Sequence, residues 1–235
     1  MVSLLAVAAL GGVWATTWAD GDAEPAGGGP SSTLARPALG RTPPPTMTTV
    51  ATTATSTVDV AAIAPTDRFV PATGRSAVAG TGPLRTYVVE VEEGLPVEAA
   101  ELAEAVDATL ADPRGWTARG DVSLQRVAPQ DAPSFRVRLA TPGTVDARCA
   151  PLRTDGIFSC RQGSDVMINA RRWFEGAAES QLSLADYRHY VISHEVGHAL
   201  GHGHVDCPAP GAVAPVMMQQ TKGLDGCAAN PWPYP

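Results

Sequence analysis

Lysine is almost missing from this chain. Lys222 is the only one, and arginine supplies the rest of the positive charge against a net charge of −7. Nucleic-acid binding usually needs a basic face, so that class is not supported. No Lys or Arg precedes Arg36, no cysteine precedes Cys149, and no Asn-x-Ser/Thr sequon occurs. The missing sequon excludes N-glycosylation.

Against these absences stands an apolar N-terminus. Residues 2–19 carry no charge, which is long for a signal-peptide core and just long enough to span a bilayer. Ala15 and Ala19 offer small residues for cleavage. The missing basic flank means either an upstream start or an atypical signal. A cleaved signal peptide and a membrane anchor over residues 1–19 both stay open. Residues 20–81 are rich in Thr, Pro, Ala, Gly and Ser, without helical period. Such a stretch cannot bury enough apolar surface to offset its ordering entropy, and it reads as a disordered linker. All four cysteines (Cys149, Cys160, Cys207, Cys227) lie in the C-terminal part. An even count behind an export-like segment reads as disulfides, with sequential pairing favoured, in an extracytoplasmic protein that is secreted or membrane-anchored.

From residue 82 the pattern is globular. Thr86–Glu92 alternates and is β-branched, as a strand is. Val97–Leu110 has Leu102, Val106 and Leu110 at helical spacing and ends at Asp112-Pro113. Val122–Val127 and Phe135–Ala140 read as strands. Gly156–Cys160 and Val166–Asn169 are shorter candidates flanking Gly163. A long helix is predicted over Leu184–Leu200, with Ser183 as N-cap and Asp186 in the capping-box place. The fold class is therefore α/β. A mixed twisted sheet carries a backing helix and an active-site helix, followed by a loop-rich, disulfide-stapled C-terminal subdomain, all within residues 82–235.

The chemistry concentrates in His194-Glu195-Val196-Gly197-His198-Ala199-Leu200-Gly201-His202-Gly203-His204. Helical residues four apart lie about 40° apart around the axis, so His194 and His198 share a face. Two imidazoles on a rigid element suit a tetrahedral zinc ion, one per domain. Glu195 sits one step round, close to a water at the metal's open position but poorly placed to be a ligand. Gly201 can take a left-handed conformation that turns the chain back and brings His204 to the same metal. All five histidines fall between residues 189 and 204. His202 is the main rival to His204 as third ligand, and Cys207 is a further, weaker one. His189 points elsewhere.

This stretch resembles the long zinc-binding motif of the metzincins, the clan of astacins, adamalysins and matrix metalloproteinases. More closely, the chain is similar to an uncharacterised family of exported actinobacterial proteins with a domain of unknown function. The metzincin resemblance covers roughly residues 82–235. It implies a methionine turn under the zinc, matched by Met217 in Ala214-Pro215-Val216-Met217-Met218. It also implies hydrolysis of peptide bonds in a peptide or protein substrate, with Glu195 as general base, and the chain is expected to act as a monomer. Two positions depart from the clan: Val205 follows the third histidine, and Gln219 stands where astacins carry a tyrosine. Subfamily therefore stays open. The alternative reading is a zinc-stabilised extracytoplasmic binding module without turnover; a third is hydrolysis of a non-protein amide in the cell envelope. A cysteine switch is excluded, because nothing before Cys149 offers a thiolate; Asp59 or Asp67 is the alternative occluding group. Tyr187, Tyr190 and Trp173 read as core or cleft-wall aromatics.

Overall fold

The computed structural model describes residues 58–235. The apolar segment 2–19 and the first part of the Thr/Pro-rich stretch lie outside the described residues. A seven-stranded mixed sheet organises the described part. Its strands are β1 (Phe69–Pro71), β2 (Ala79–Gly80), β3 (Leu84–Glu92), β4 (Ser123–Arg126), β5 (Phe135–Ala140), β6 (Cys160–Gln162) and β7 (Asp165–Asn169). The order is β2-β4-β3-β5-β7-β6, and β1 pairs with β3.

β3 is the centre. One edge runs parallel to β5, from Tyr87 opposite Phe135 to Val91 opposite Leu139. The other edge is shared: β4 pairs in parallel with Leu84–Tyr87, and β1 pairs antiparallel with Glu90–Glu92. β5 and β7 are also parallel. Central parallel strands are covered on both faces, which explains why Tyr87 through Glu92 are all buried rather than alternating. One face of β3 puts Tyr87, Val89 and Val91 into the main core. On the other, Glu90 pairs with Arg136 and Arg138, and Arg138 also holds Asp165.

Helix α1 (Ala99–Ala111) lies on the core face through Leu102, Val106 and Leu110. Its alanine-rich sequence favours helix, and it stops at Asp112, where Pro113 disfavours a further turn. Helix α4 (Leu184–Ala199) starts at Ser183, whose hydroxyl accepts from the Asp186 backbone and donates to the Asp186 carboxylate. Every residue from Tyr190 to Gly197 is buried. Such a helix is covered all round: Ile192 and Val196 join the core with α1 and the sheet, while Tyr187, Tyr190 and His194 bond to the C-terminal segment.

Several expectations need correction. The ordered domain begins ahead of residue 82. Val60 is buried in a short 3-10 turn, and β1 and β2 extend the sheet. These residues join through main-chain pairing, which leaves no hydrophobic period to read. Their anchor is the buried Glu92, which accepts from the backbones of Thr66, Asp67 and Thr141 at 2.6, 2.8 and 2.7 Å, and from the Thr144 hydroxyl at 2.6 Å. The strand expected over Gly156–Cys160 starts only at Cys160, because Ile157 and Phe158 turn back onto the Thr154 carbonyl. Two short helices were not anticipated: α2 (Pro142–Cys149), with Thr141 as N-cap and proline in its first turn, and α3 (Ala170–Glu175), capped by Asn169. No helix among the described residues is long and apolar enough to cross a membrane.

The disulfides join Cys149 to Cys160 and Cys207 to Cys227, the sequential pairing. The first ties α2 to β6; the second closes the segment after α4. Loops of these lengths gain about 3 kcal/mol each from restricting the unfolded chain. Two disulfides fit an oxidising compartment.

Candidate metal centre

His194 and His198 project from one face of α4, their ring centroids 4.9 Å apart. The helix then ends in a Schellman motif: Gly201 donates to His198 O and His202 donates to Gly197 O, with Gly201 at φ +100°. Glycine is the residue that tolerates this conformation. The reversal carries His204 back, and one ring nitrogen from each of His194, His198 and His204 lies within 4.8 Å of the other two. These three histidines are close enough to bind a metal ion.

The tautomers fit that role. A carbonyl can only accept, so His194 Nδ1 must carry the hydrogen it gives Val216 O at 2.8 Å, and His198 Nδ1 the one it gives His202 O at 2.8 Å. In the neutral rings each Nε2 then keeps its lone pair. His198 Nε2 faces His204 Nε2 at 3.1 Å. A tetrahedral site with Zn–N bonds of 2.0–2.1 Å needs nitrogens about 3.3 Å apart, so this pair is spaced for a shared cation. Burial, reinforced by its two histidine neighbours and opposed by the bond to Val216, pushes the His194 imidazole down to about 3. Burial also lowers His198 and His204. All three favour the neutral form that ligation requires.

The chain after α4 completes the frame. Val216 O holds His194, while Met217 O accepts from the Val205 backbone at 3.2 Å, directly after His204. A single turn thus orients the first and third histidines. Met217 is buried, joins the main core and lies against Gly197 of α4. A Cβ on Gly197 would stand 2.4 Å from Met217 Sδ and 2.7 Å from Trp116 Cζ2, so glycine lets the turn and the helix touch. Trp116 Nε1 donates to Ser193 O at 2.8 Å, bracing α4 one residue before His194.

The remaining candidates fall elsewhere. The His202 ring stacks on Trp116 with centroids 4.3 Å apart, outside the three-nitrogen cluster. Cys207 is committed to its disulfide. His189 bonds Thr109 Oγ1 and packs on Trp232. Trp173 is in the core, whereas Tyr190 lines the cleft and its hydroxyl donates to Met218 O. Asp67 pairs with Arg148 rather than approaching the histidines.

The histidines open onto a cleft of about 530 Å³. Glu195 lines it too, and its Oε2 is the one buried side-chain polar atom without a hydrogen-bond partner among the described residues. Burial pushes its carboxyl up to about 8. A nearby cation favours the charged form and would draw that value down. An acceptor left bare beside three imidazole nitrogens suits a site built around a cation and a water.

A family model described as a protein of unknown function (DUF3152) matches residues 60–226. The chain belongs to this family. No curated protein and no solved structure matches it. The family region opens at Val60, the first buried side chain of the described part, and so agrees with a domain that begins before residue 82. It spans the whole histidine constellation and the Met217 turn. Trp116 and the Val216 carbonyl brace the centre from loops, where a contact leaves no period in the sequence.

Proposed function

We propose that this is an exported, metzincin-type zinc metallopeptidase with His194, His198 and His204 as ligands and Glu195 as general base. The observation that carries the reading is the bare, buried Glu195 Oε2 beside three convergent imidazoles at a cleft. A structural zinc is usually closed by four protein ligands and has no need of a base, whereas three histidines leave a position open. The turn that carries Met217, packed against Gly197 and holding His194 through Val216 O, supports the clan, and the two disulfides support export.

When bound, zinc lowers the pKa of water and polarises a carbonyl. The chain's own part is positional. Val216 O and His202 O fix two imidazoles with their Nε2 atoms turned inward. Glu195 receives the proton of the attacking water and delivers it to the departing amine. The cleft admits the peptide beside it.

The test is Glu195→Ala. General acid–base catalysis is typically worth about 10²–10⁴-fold, and Glu195 acts twice, so peptide cleavage should fall at or beyond that range. Zinc content should barely change, because the nitrogen ligands remain. Zinc content and cleavage are read side by side on wild type and variant. Cleavage by the variant within a few-fold of wild type removes Glu195 from the mechanism. A wild type that cleaves nothing in a broad peptide library points to the binding module instead.

A further inference from the structure

The cleft carries the opposite charge to the protein around it. The chain has a net charge of −7, yet apart from the histidines and the buried Glu195 the charged side chains lining the cleft are Arg153, Arg161 and Lys222. Arg153 is largely exposed and already holds Asp155 at 3.1 Å. The other two hold no carboxylate among the described residues. Arg161 comes from β6, the edge strand, and forms no ion pair among the described residues. Lys222, the chain's only lysine, donates to Gln219 Oε1 and lies over the Phe158 ring, with no carboxylate on it. Among the described residues nine arginines, Arg153 included, hold a carboxylate, while Arg85, Arg119, Arg172 and Arg188 share the lack of one with Arg161 but do not line the cleft. Two free cations at the mouth of one cleft, in an acidic protein, are complementary to an anionic ligand.

The geometry points to a substrate with side-chain carboxylates beside the scissile amide, an acidic peptide received by Arg161 and Lys222. The choice of a peptide rests on the peptidase reading; the charge preference does not. Arg161 approaches from the sheet edge and Lys222 from the segment beyond the methionine turn, so carboxylates at two positions along one extended peptide can be met at once. Both cations are exposed. Pairs of this kind are individually weak, and two acting together give a preference of roughly tenfold.

The experiment uses the full chain loaded with zinc. The probes are two acetylated, C-terminally amidated octapeptides, one with two glutamates on each side of a central apolar pair, the other with glutamine in their place. Affinity is read by fluorescence anisotropy on the Glu195→Gln protein, and kcat/KM on the parent. The expected result is a roughly tenfold preference for the glutamate peptide at low salt, shrinking as ionic strength rises. In Arg161→Glu/Lys222→Glu the glutamine peptide should be preferred. Equal response to the two peptides, or an unchanged glutamate preference in the double variant, overturns the proposal. Discrimination in affinity without cleavage upholds it and removes the peptidase reading. Cleavage without discrimination overturns it and leaves that reading standing. Zinc content and melting temperature establish that the variant is folded. If it is not, Arg161→Gln and Lys222→Gln singly should each move the ratio towards one.

Discussion

Between Leu84 and Ala199 the main chain pairs largely with itself, in strands and helices; from Leu200 to Pro235 there is no helix or strand, and its polar groups are met by turns and side chains. Buried Asn230 shows how. Its Nδ2 donates to Ala214 O and Trp232 O, its Oδ1 accepts from Trp232 N, and Gln220 bonds both its backbone N–H and its carbonyl. The Tyr190 hydroxyl adds a bond to Met218 O and one from Gln220 N. Buried backbone groups must be paired, and a segment without ladders has to recruit side chains to do it. The two regions then share the centre. The helix presents His194 and His198 on a rigid face, and the irregular segment supplies His204, Met217 and the carbonyl that orients His194. Irregular structure here is part of the frame.

The largest expected effect separates the two sources of ligand. His194→Ala and His204→Ala should each weaken zinc binding by roughly 10²-fold or more, since even groups behind the ligands are worth 10- to 100-fold. Their metal-free proteins should differ. His194 is buried, and its loss strands Val216 O, so unfolding in urea should show a cost of about 1–3 kcal/mol. His204 is exposed, and its loss should stay within about 0.5 kcal/mol. Equal metal-free stabilities would undo the division between frame and ligand.

Asn230→Ala comes next, with an expected loss of about 3 kcal/mol from the buried groups it strands. That equals a core truncation in the sheet such as Leu139→Ala, expected at about 2–5 kcal/mol. Were the C-terminal segment mere decoration, denaturant melts of the two variants would diverge, with Asn230→Ala near zero. Gly197→Ala tests the seam between the regions. Its Cβ has no room against Met217 and Trp116, and overpacking typically costs about 1–3 kcal/mol. Weaker zinc binding should accompany the lower melting temperature; full retention of both would mean that the turn yields freely.

The smallest expected signal is in the wild-type pH profile. Burial alone would raise the Glu92 carboxyl, but bonds from Thr144, Thr141, Asp67 and Thr66 outweigh it and hold the folded value below 4.5. A lowered carboxylate contributes stability that is complete above the unfolded value and is lost as pH falls through the folded one. Stability should therefore decline below about pH 4.5, and Glu92→Gln should flatten that acid limb. An identical acid limb in the variant would show that other carboxylates set it.

Much of the first region was legible. The helices α1 and α4 came from spacing and caps, and β3, β4, β5 and β7 from alternation and β-branching. The misses share a cause. β1 and β2 join by main-chain pairing around Glu92, and α2 holds Gly143 and a net polar face, so neither leaves an apolar period. The boundary at residue 82 failed for the same reason.

What the sequence alone determined is local: two histidines four apart on a helix, a glycine that ends it, and a third histidine within reach of the turn, because helix geometry and backbone sterics act over a few residues. It also pointed to the disulfide pairing through the short loops it closes. Tertiary structure decided the rest. His204 rather than His202 joins the cluster because Trp116, far away in the chain, takes the His202 ring. Val216 O selects the tautomer of His194. Glu195 Oε2 is bare because none of the segments packed around α4 brings a donor to it. Which groups meet across long loops depends on how the whole chain packs, and no short-range pattern encodes that.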